Sequence, residues 1–150
     1  MTGFAAVSLD DAKALENALI AYCTAVDLLD DVDGIASLFT EDATLDLSGL
    51  HLPVFEGRAA IAGFYAKVFA DMSHHMHMMS NFRVAEFTGD TARCIAYVHG
   101  MGRSNAGVDI SVFVWYDLDY RKTPQGWQIS RFYEAPKLPM PESVTAVHSN

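Results

Sequence analysis

Positive charge is almost missing from the first fifty residues. Lys13 stands alone there against ten acids (Asp10, Asp11, Glu16, Asp27, Asp30, Asp31, Asp33, Glu41, Asp42, Asp46), while the other hundred residues balance nine acids with nine bases. The chain of 150 residues therefore carries a net charge of −9 and no basic stripe. That argues against nucleic acid and against anionic membranes as partners, and the acidic third reads as a solvated helix face. Cysteine is scarce as well. Cys23 and Cys94 stand inside periodic segments, not in a spaced framework, and read as small buried hydrophobes in a reducing compartment. No run approaches the ~18 consecutive apolar residues of a membrane span. No basic segment followed by an apolar one opens the chain, so no secretory leader and a cytoplasmic location are expected. Gly-rich phosphate loops and Gly-x-Ser-x-Gly are absent, and no cofactor is expected.

What is present is apolar and periodic. Hydrophobic residues make up 51% and charged ones 19%, which excludes disorder as the general state. A long helix is expected over about 9–29, opened by Ser8 and Asp11, with Leu15, Leu19, Tyr22, Val26 and Leu29 as its buried stripe. Asp30-Asp31 cap a short second helix carrying Ile35, Leu38 and Phe39, which Thr40-Glu41-Asp42 closes. Ala43 to Leu47 reads as a strand, and 48–57 as a loop. A third helix follows from about Arg58 to Ala70, with Ile61, Phe64, Tyr65, Val68 and Phe69 at helical spacing.

From there the period becomes two, and strands are expected at about 75–87, 91–103, 108–121 and 127–134. Gly89-Asp90, Ser104 to Gly107 and Thr123 to Gly126 form the turns. The tail from Ala135 holds Pro136, Pro139 and Pro141 without periodicity and reads as an extended arm or frayed end. One domain is expected over 1–150, with its core at about 8–134. Its class is α+β: three helices packed against a strongly curved, mostly antiparallel sheet, a cone-shaped barrel whose interior would hold a ligand. On the strand 108–118, Ile110, Val112, Val114 and Tyr116 alternate with Phe113 and Trp115, so both faces are apolar. A homodimer or homotrimer is expected to cover the outer one.

Two features could carry chemistry. Helical spacing puts Asp27 in an arc with Cys23 and Ile20, among apolar neighbours. It is either a buried acid that needs a partner, or a helix-end aspartate that caps the next helix or meets solvent. The second feature is His74-His75-Met76-His77 at the start of a strand. Alternation sets His75, His77, Met79 and Asn81 on one face. His99 follows in the next strand, on a face with Tyr97 and Met101. A hairpin at Gly89-Asp90 puts His77 near Gly102 and His99 near Ser80. The two histidines then share a site only if the sheet curls or a bulge shifts the register. His-x-His could supply part of a metal site, but a third ligand at suitable spacing is missing, so no metal is expected.

These residues support a resemblance. Tyr22 to Asp30, Gly34 to Phe39, Glu41-Asp42-Ala43, Phe55 to Ile61, His77 to Asn81, Gly89 to Ala92 and Gly126 to Ile129 resemble, in order and spacing, the SnoaL-like branch of the nuclear transport factor 2 superfamily. The likeness covers about residues 10–134. Its members scytalone dehydratase and lindane dehydrochlorinase are cofactor-free lyases with an Asp-His dyad. The resemblance implies that Asp27 and His77 form that dyad and that His99 is a second active-site histidine. Where scytalone dehydratase has a tyrosine before the aspartate, this chain has Val26, so its substrate does not carry over. Cys23, His75, Met79, Asn81, Tyr97 and Met101 are then expected to contact a small, mostly apolar substrate, cyclic or open-chain. The expected reaction is removal of a carbon-bound proton followed by elimination or isomerisation. A non-catalytic small-ligand binder and an oligomerisation module of the same fold stay open beside it.

Overall fold

The computed structural model describes residues 4–149. Helix α1 spans Leu9–Leu28. Ser8 caps it by accepting the Asp11 N–H at 3.0 Å, and Asp10 and Asp11 sit in the first turn, where the helix dipole favours negative charge. Its buried stripe is Leu15, Leu19, Tyr22, Cys23 and Val26. Helix α2, Val32–Ala36, is capped by Asp31, whose carboxylate accepts the Gly34 N–H at 2.8 Å. Helix α3 covers Arg58–Asp71 and buries Ile61, Tyr65 and Val68.

Six strands follow the order β2-β1-β6-β5-β4-β3, with β1 as Phe39–Asp46, β2 as Val54–Glu56, β3 as Met72–Phe87, β4 as Thr91–Ser104, β5 as Asp109–Thr123 and β6 as Gly126–Pro136. Only β1 and β6 pair in parallel. The expected run of antiparallel hairpins from β3 to β6 is present. The sheet is curved but not closed, so the expected barrel is an open cone: β2 and β3 remain edges. A bulge between Ser80 and Arg83, with Asn81 at φ 54°, interrupts the long β3 and re-aims the residues before it.

Two expectations fail locally. Thr40-Glu41-Asp42 lies within β1 and does not close a helix. Arg58 and Arg121 take the charges of Glu41 and Asp42, and Phe39 and Ala43 are fully buried, so the strand tolerates its acidic pair. The segment 48–57, expected as loop, contains a 3-10 turn (Ser48–Leu50) and the three-residue β2, which is too short to show a period.

The tail is also not an arm. Residues Glu142–His148 form helix α4, which buries Val144 and folds over the cone. Inside the cone, Tyr22, Phe39, Tyr65, Tyr116 and Phe132 make an aromatic core with ring centroids 4.7–6.3 Å apart. Outside it, Met76, Met78, Tyr97 and Phe113 are exposed. The edge strand β3 has two of its outward backbone groups covered. The Ala5 N–H donates to the Val84 carbonyl at 3.0 Å, and the His77 N–H donates to the Asp27 carboxylate at 3.0 Å.

Candidate active site

Helix α1 packs chiefly on β3, and its last turn ends against the His75-x-His77 segment. That turn has no basic residue of its own and ends in free carbonyls, so it favours hydrogen-bond donors. β3 supplies two. The His75 Nδ1–H donates to the Val26 carbonyl at 3.0 Å. The His77 Nδ1 lies 2.6 Å from Asp27 Oδ1, while Asp27 Oδ2 accepts the His77 backbone N–H at 3.0 Å. One carboxylate thereby fixes both the backbone and the ring of the same residue. With Asp27 ionised, the hydrogen resides on Nδ1 and the lone pair on Nε2.

The opposing strand leaves room for that nitrogen. His77 pairs with Gly100 and His75 with Gly102. A Cβ at position 100 would come 3.4 Å from His77 Nε2, and one at 102 would come 2.8 Å from His75 Cδ2. A His-x-His on one strand thus faces a Gly-x-Gly on the next. The two imidazoles stand nearly perpendicular with centroids 5.5 Å apart. Burial holds the His75 imidazole below its ordinary pKa, partly opposed by the Val26 carbonyl, so this ring favours the neutral form.

Both histidines line a cavity of about 100 Å³ with Tyr22, Tyr65, Tyr116 and Glu134. Apolar walls come from Val26, Leu50, Phe64, Val68 and Val112 among others, and Met140, Val144 and His148 close one side from the tail. The Tyr22 and Tyr65 hydroxyls are hydrogen-bonded at 2.6 Å. Burial, the largest cause, pushes both phenols up, so they stay protonated. Glu134 has a carboxyl that burial pushes up to about 8.

Of the residues expected at the site, Asp27, His75, His77 and Met101 come together at or beside this cavity. The others do not. His99 pairs with Met78, not with the His77 face, so it points to the outside of the sheet. There its Nε2 lies 2.9 Å from Ser111 Oγ and its ring stacks on Phe113 at 4.1 Å. Tyr97 shares that outer face, is 42% exposed, and has the Lys137 ammonium 4.6 Å from its ring centre. Asn81 is taken out of the alternation by its own bulge and is exposed. Met79 is half-buried, packed against the core opposite Val98, and borders the groove that holds Met78 and Phe113 instead of the cavity. Cys23 is packed in the core, where burial first and the Asp27 charge second push its thiol up to about 12.

The expectation that no third ligand accompanies the histidines is also corrected. Asp27, His75 and His77 each bring a ligand atom within 4.8 Å of the others. Two groups bound to one ion at about 2.0–2.2 Å and near a right angle stand about 3 Å apart. The observed 2.6 Å is the separation of a charge-assisted hydrogen bond, so the arrangement fits a proton better than an ion.

Sequence reasoning passed over Tyr22 and Tyr65, which it read as core stripe residues, and Glu134 and His148. Glu134 shares the inner face of β6 with Phe132 and pairs with Tyr116. A charge at an apolar-in position was its available signal, hidden because the expected strand ended there.

Comparison with known proteins gives a consistent group. A family model described as a SnoaL-like domain matches residues 7–133. An uncharacterised protein of Mycobacterium tuberculosis is 30% identical over 131 residues, 84% of this chain and 85% of its own. The structure of a candidate aromatic ring hydroxylase from Novosphingobium aromaticivorans is 40% identical with a TM-score of 0.88, covering 90% of this chain and 94% of that one. A candidate scytalone dehydratase from the same species shares 19% identity and a TM-score of 0.79, over 87% and 86% of the two chains. At that identity the likeness speaks for the fold.

Proposed function

The chain belongs to the SnoaL-like family, and from that premise we propose that it is a cofactor-independent lyase or isomerase in which His77 removes a carbon-bound proton. The reading rests above all on the 2.6 Å contact between His77 Nδ1 and Asp27 Oδ1 at the wall of an apolar cavity. The imidazole Nε2 is the base, because Asp27 keeps the hydrogen on the other nitrogen. As Nε2 takes the substrate proton, the ring becomes cationic, and the adjacent carboxylate stabilises it. Tyr22, Val26 and the apolar walls exclude water and favour a small, largely apolar substrate. After proton removal the electron pair either expels a neighbouring leaving group or moves to a new carbon, which is elimination or isomerisation. His75, neutral and held by Val26, lines the approach.

The outer face, with Met76, Met78, Tyr97 and Phe113 exposed, supports self-association as a homodimer or homotrimer. Two unpaired buried cysteines suit a reducing, cytoplasmic setting. No described helix is long and apolar enough to cross a membrane.

The test is exchange of the α-hydrogens of cyclohex-2-enone for deuterium in D2O, followed by NMR. The protein should catalyse it and His77→Ala should not. Asp27→Asn should lower the rate by about 10²–10⁴-fold with little change in affinity. Binding without exchange in the unaltered protein would turn the reading to a small-ligand-binding module of the same fold. Stoichiometric zinc, iron or manganese in untagged protein would overturn the metal-free mechanism.

A further inference from the structure

Met76 and Met78 lie two residues apart on β3, on the face opposite His75 and His77, and are 50% and 51% exposed. His99 on β4 is the direct cross-strand partner of Met78. Directly paired residues of an antiparallel sheet share a face with their Cβ atoms about 4.5–5.5 Å apart, and positions i and i+2 of one strand stand about 7 Å apart. Two thioethers and one imidazole therefore rise from one small patch. The methionine side chains are long and flexible enough to close those gaps. None of the three residues takes part in the chemistry proposed for the cavity.

The imidazole is held in the manner of a metal ligand. Its ring lies flat on Phe113, with centroids 4.1 Å and planes 15° apart, and its Nε2 lies 2.9 Å from Ser111 Oγ. With the Nε2–H donating to Ser111, the lone pair is on Nδ1, which has no hydrogen-bond partner among the described residues. Metal-ligating histidines donate their other ring N–H in this way, which fixes the tautomer and the ring orientation. Met78, His99, Tyr97 and Phe113 border one groove, and among the described residues no carboxylate or thiol lines it. The Lys137 ammonium, at the same groove, is held over the Tyr97 and Trp115 rings, 4.6 and 5.5 Å from their centres. Hard divalent cations find no anionic ligand there, whereas thioether sulfur and imidazole select soft ones. Cys23 and Cys94 are stronger soft ligands, but they are buried and burial pushes their thiols up to about 12, so the folded chain withholds them.

We propose that Met76 Sδ, Met78 Sδ and His99 Nδ1 form a three-ligand site for a soft monovalent cation, Cu(I), with Ag(I) as its redox-inert stand-in. The three ligands are neutral, so the ion keeps its charge and stays exchangeable, which suits holding or passing on copper and not turnover. The site lies on the convex face of the sheet and is independent of Asp27, His77 and the reaction proposed for them. It belongs to the face expected to self-associate, so one ion per chain must bind at whatever mass the protein has in solution.

The intact chain, labelled with ¹³C at the methionine methyls, tests this by NMR titration with Ag(I) in chloride-free buffer. A second titration uses Cu(I) in competition with bicinchoninate, without oxygen and with ascorbate present. The Met76 and Met78 methyl resonances and the His99 ring resonances should move together and saturate at one ion per chain, while Met72, His75 and His77 stay in place. Met76→Leu and Met78→Leu, which keep volume and apolarity, should each weaken binding by about tenfold or more, as should His99→Phe. Ser111→Ala, which only frees the ring, should weaken it by about tenfold. Unchanged His75 and His77 resonances in each variant report an intact fold. No saturable binding, shifts centred on His75, His77 or the cysteines, unchanged affinity in the methionine variants, or Zn(II) bound as tightly as Cu(I) each overturns the proposal.

Discussion

A single carboxylate and a single carboxylic acid divide the polar work of the cavity, and their environments explain the division. Asp27 sits where two donors of His77 meet it, so its charge is used. Glu134 sits among phenols with no donor aimed at it, so its charge is suppressed. The consequence for stability has a definite sign. The folded pKa, about 8, lies above the ordinary 4.5, so folding is penalised above pH 4.5 and the penalty grows until about pH 8. Glu134→Gln should therefore be more stable than the unaltered protein by about 1–3 kcal/mol at pH 8 and equal to it below pH 4.5, measured by urea denaturation across that range. At this scale the sequence was legible only in part. Asp27 stood out because it interrupted an apolar arc and His77 because it ended a run of histidines, and the family resemblance paired them. His99 carried the same appearance but belonged to the opposite face, and alternation within one strand does not say which face is inward. Glu134 and the hydroxyl pair needed three elements to be placed at once.

The elements themselves were clearer than the residues. Helix periodicity located α1 and α3, and turn composition located the hairpins between β3 and β6, because these signals are local. What escaped was short or non-local: the three residues of β2, the helix α4 in a proline-marked tail, and the bulge at Asn81. Near the Gly89-Asp90 turn, the observed pairs Phe87↔Ala92 and Glu86↔Arg93 follow the expected register. Past the irregularities, His77 reaches Gly100 in place of Gly102. The glycines then decide what the hairpin tolerates. A Cβ at 102 would meet His75, Met72 and the His74 carbonyl at 2.8–2.9 Å. Gly102→Ala should cost about 1–3 kcal/mol by thermal denaturation and shift the His75 ring resonances. The Cβ of Gly100→Ala would stay at 3.2 Å or more from its neighbours and should cost less, while crowding Nε2 enough to slow exchange.

At the scale of the whole molecule, the curved sheet leaves one of its faces uncovered. Its concave side takes α1, α3 and α4, whereas its convex side shows Met76, Met78, Tyr97 and Phe113 to solvent. Light scattering should give two or three times the 16.5 kDa chain mass at micromolar concentration. A persistent monomer would sink that expectation. The open edge at β3 has a consequence of its own. A free strand edge is a template on which other chains can add, the route to fibrils and disordered aggregates. Here the Ala5 N–H occupies the Val84 carbonyl, and the Asp27 carboxylate occupies the His77 N–H. The carboxylate that would orient the base in the proposed mechanism is therefore also expected to hinder addition of further copies at this edge. Asp27→Ala should raise thioflavin-positive aggregation on prolonged incubation, whereas Asp27→Asn, which keeps an oxygen for that N–H, should remain clear while losing activity. Selection acting on this aspartate would then be answering to proteostasis as well as to turnover.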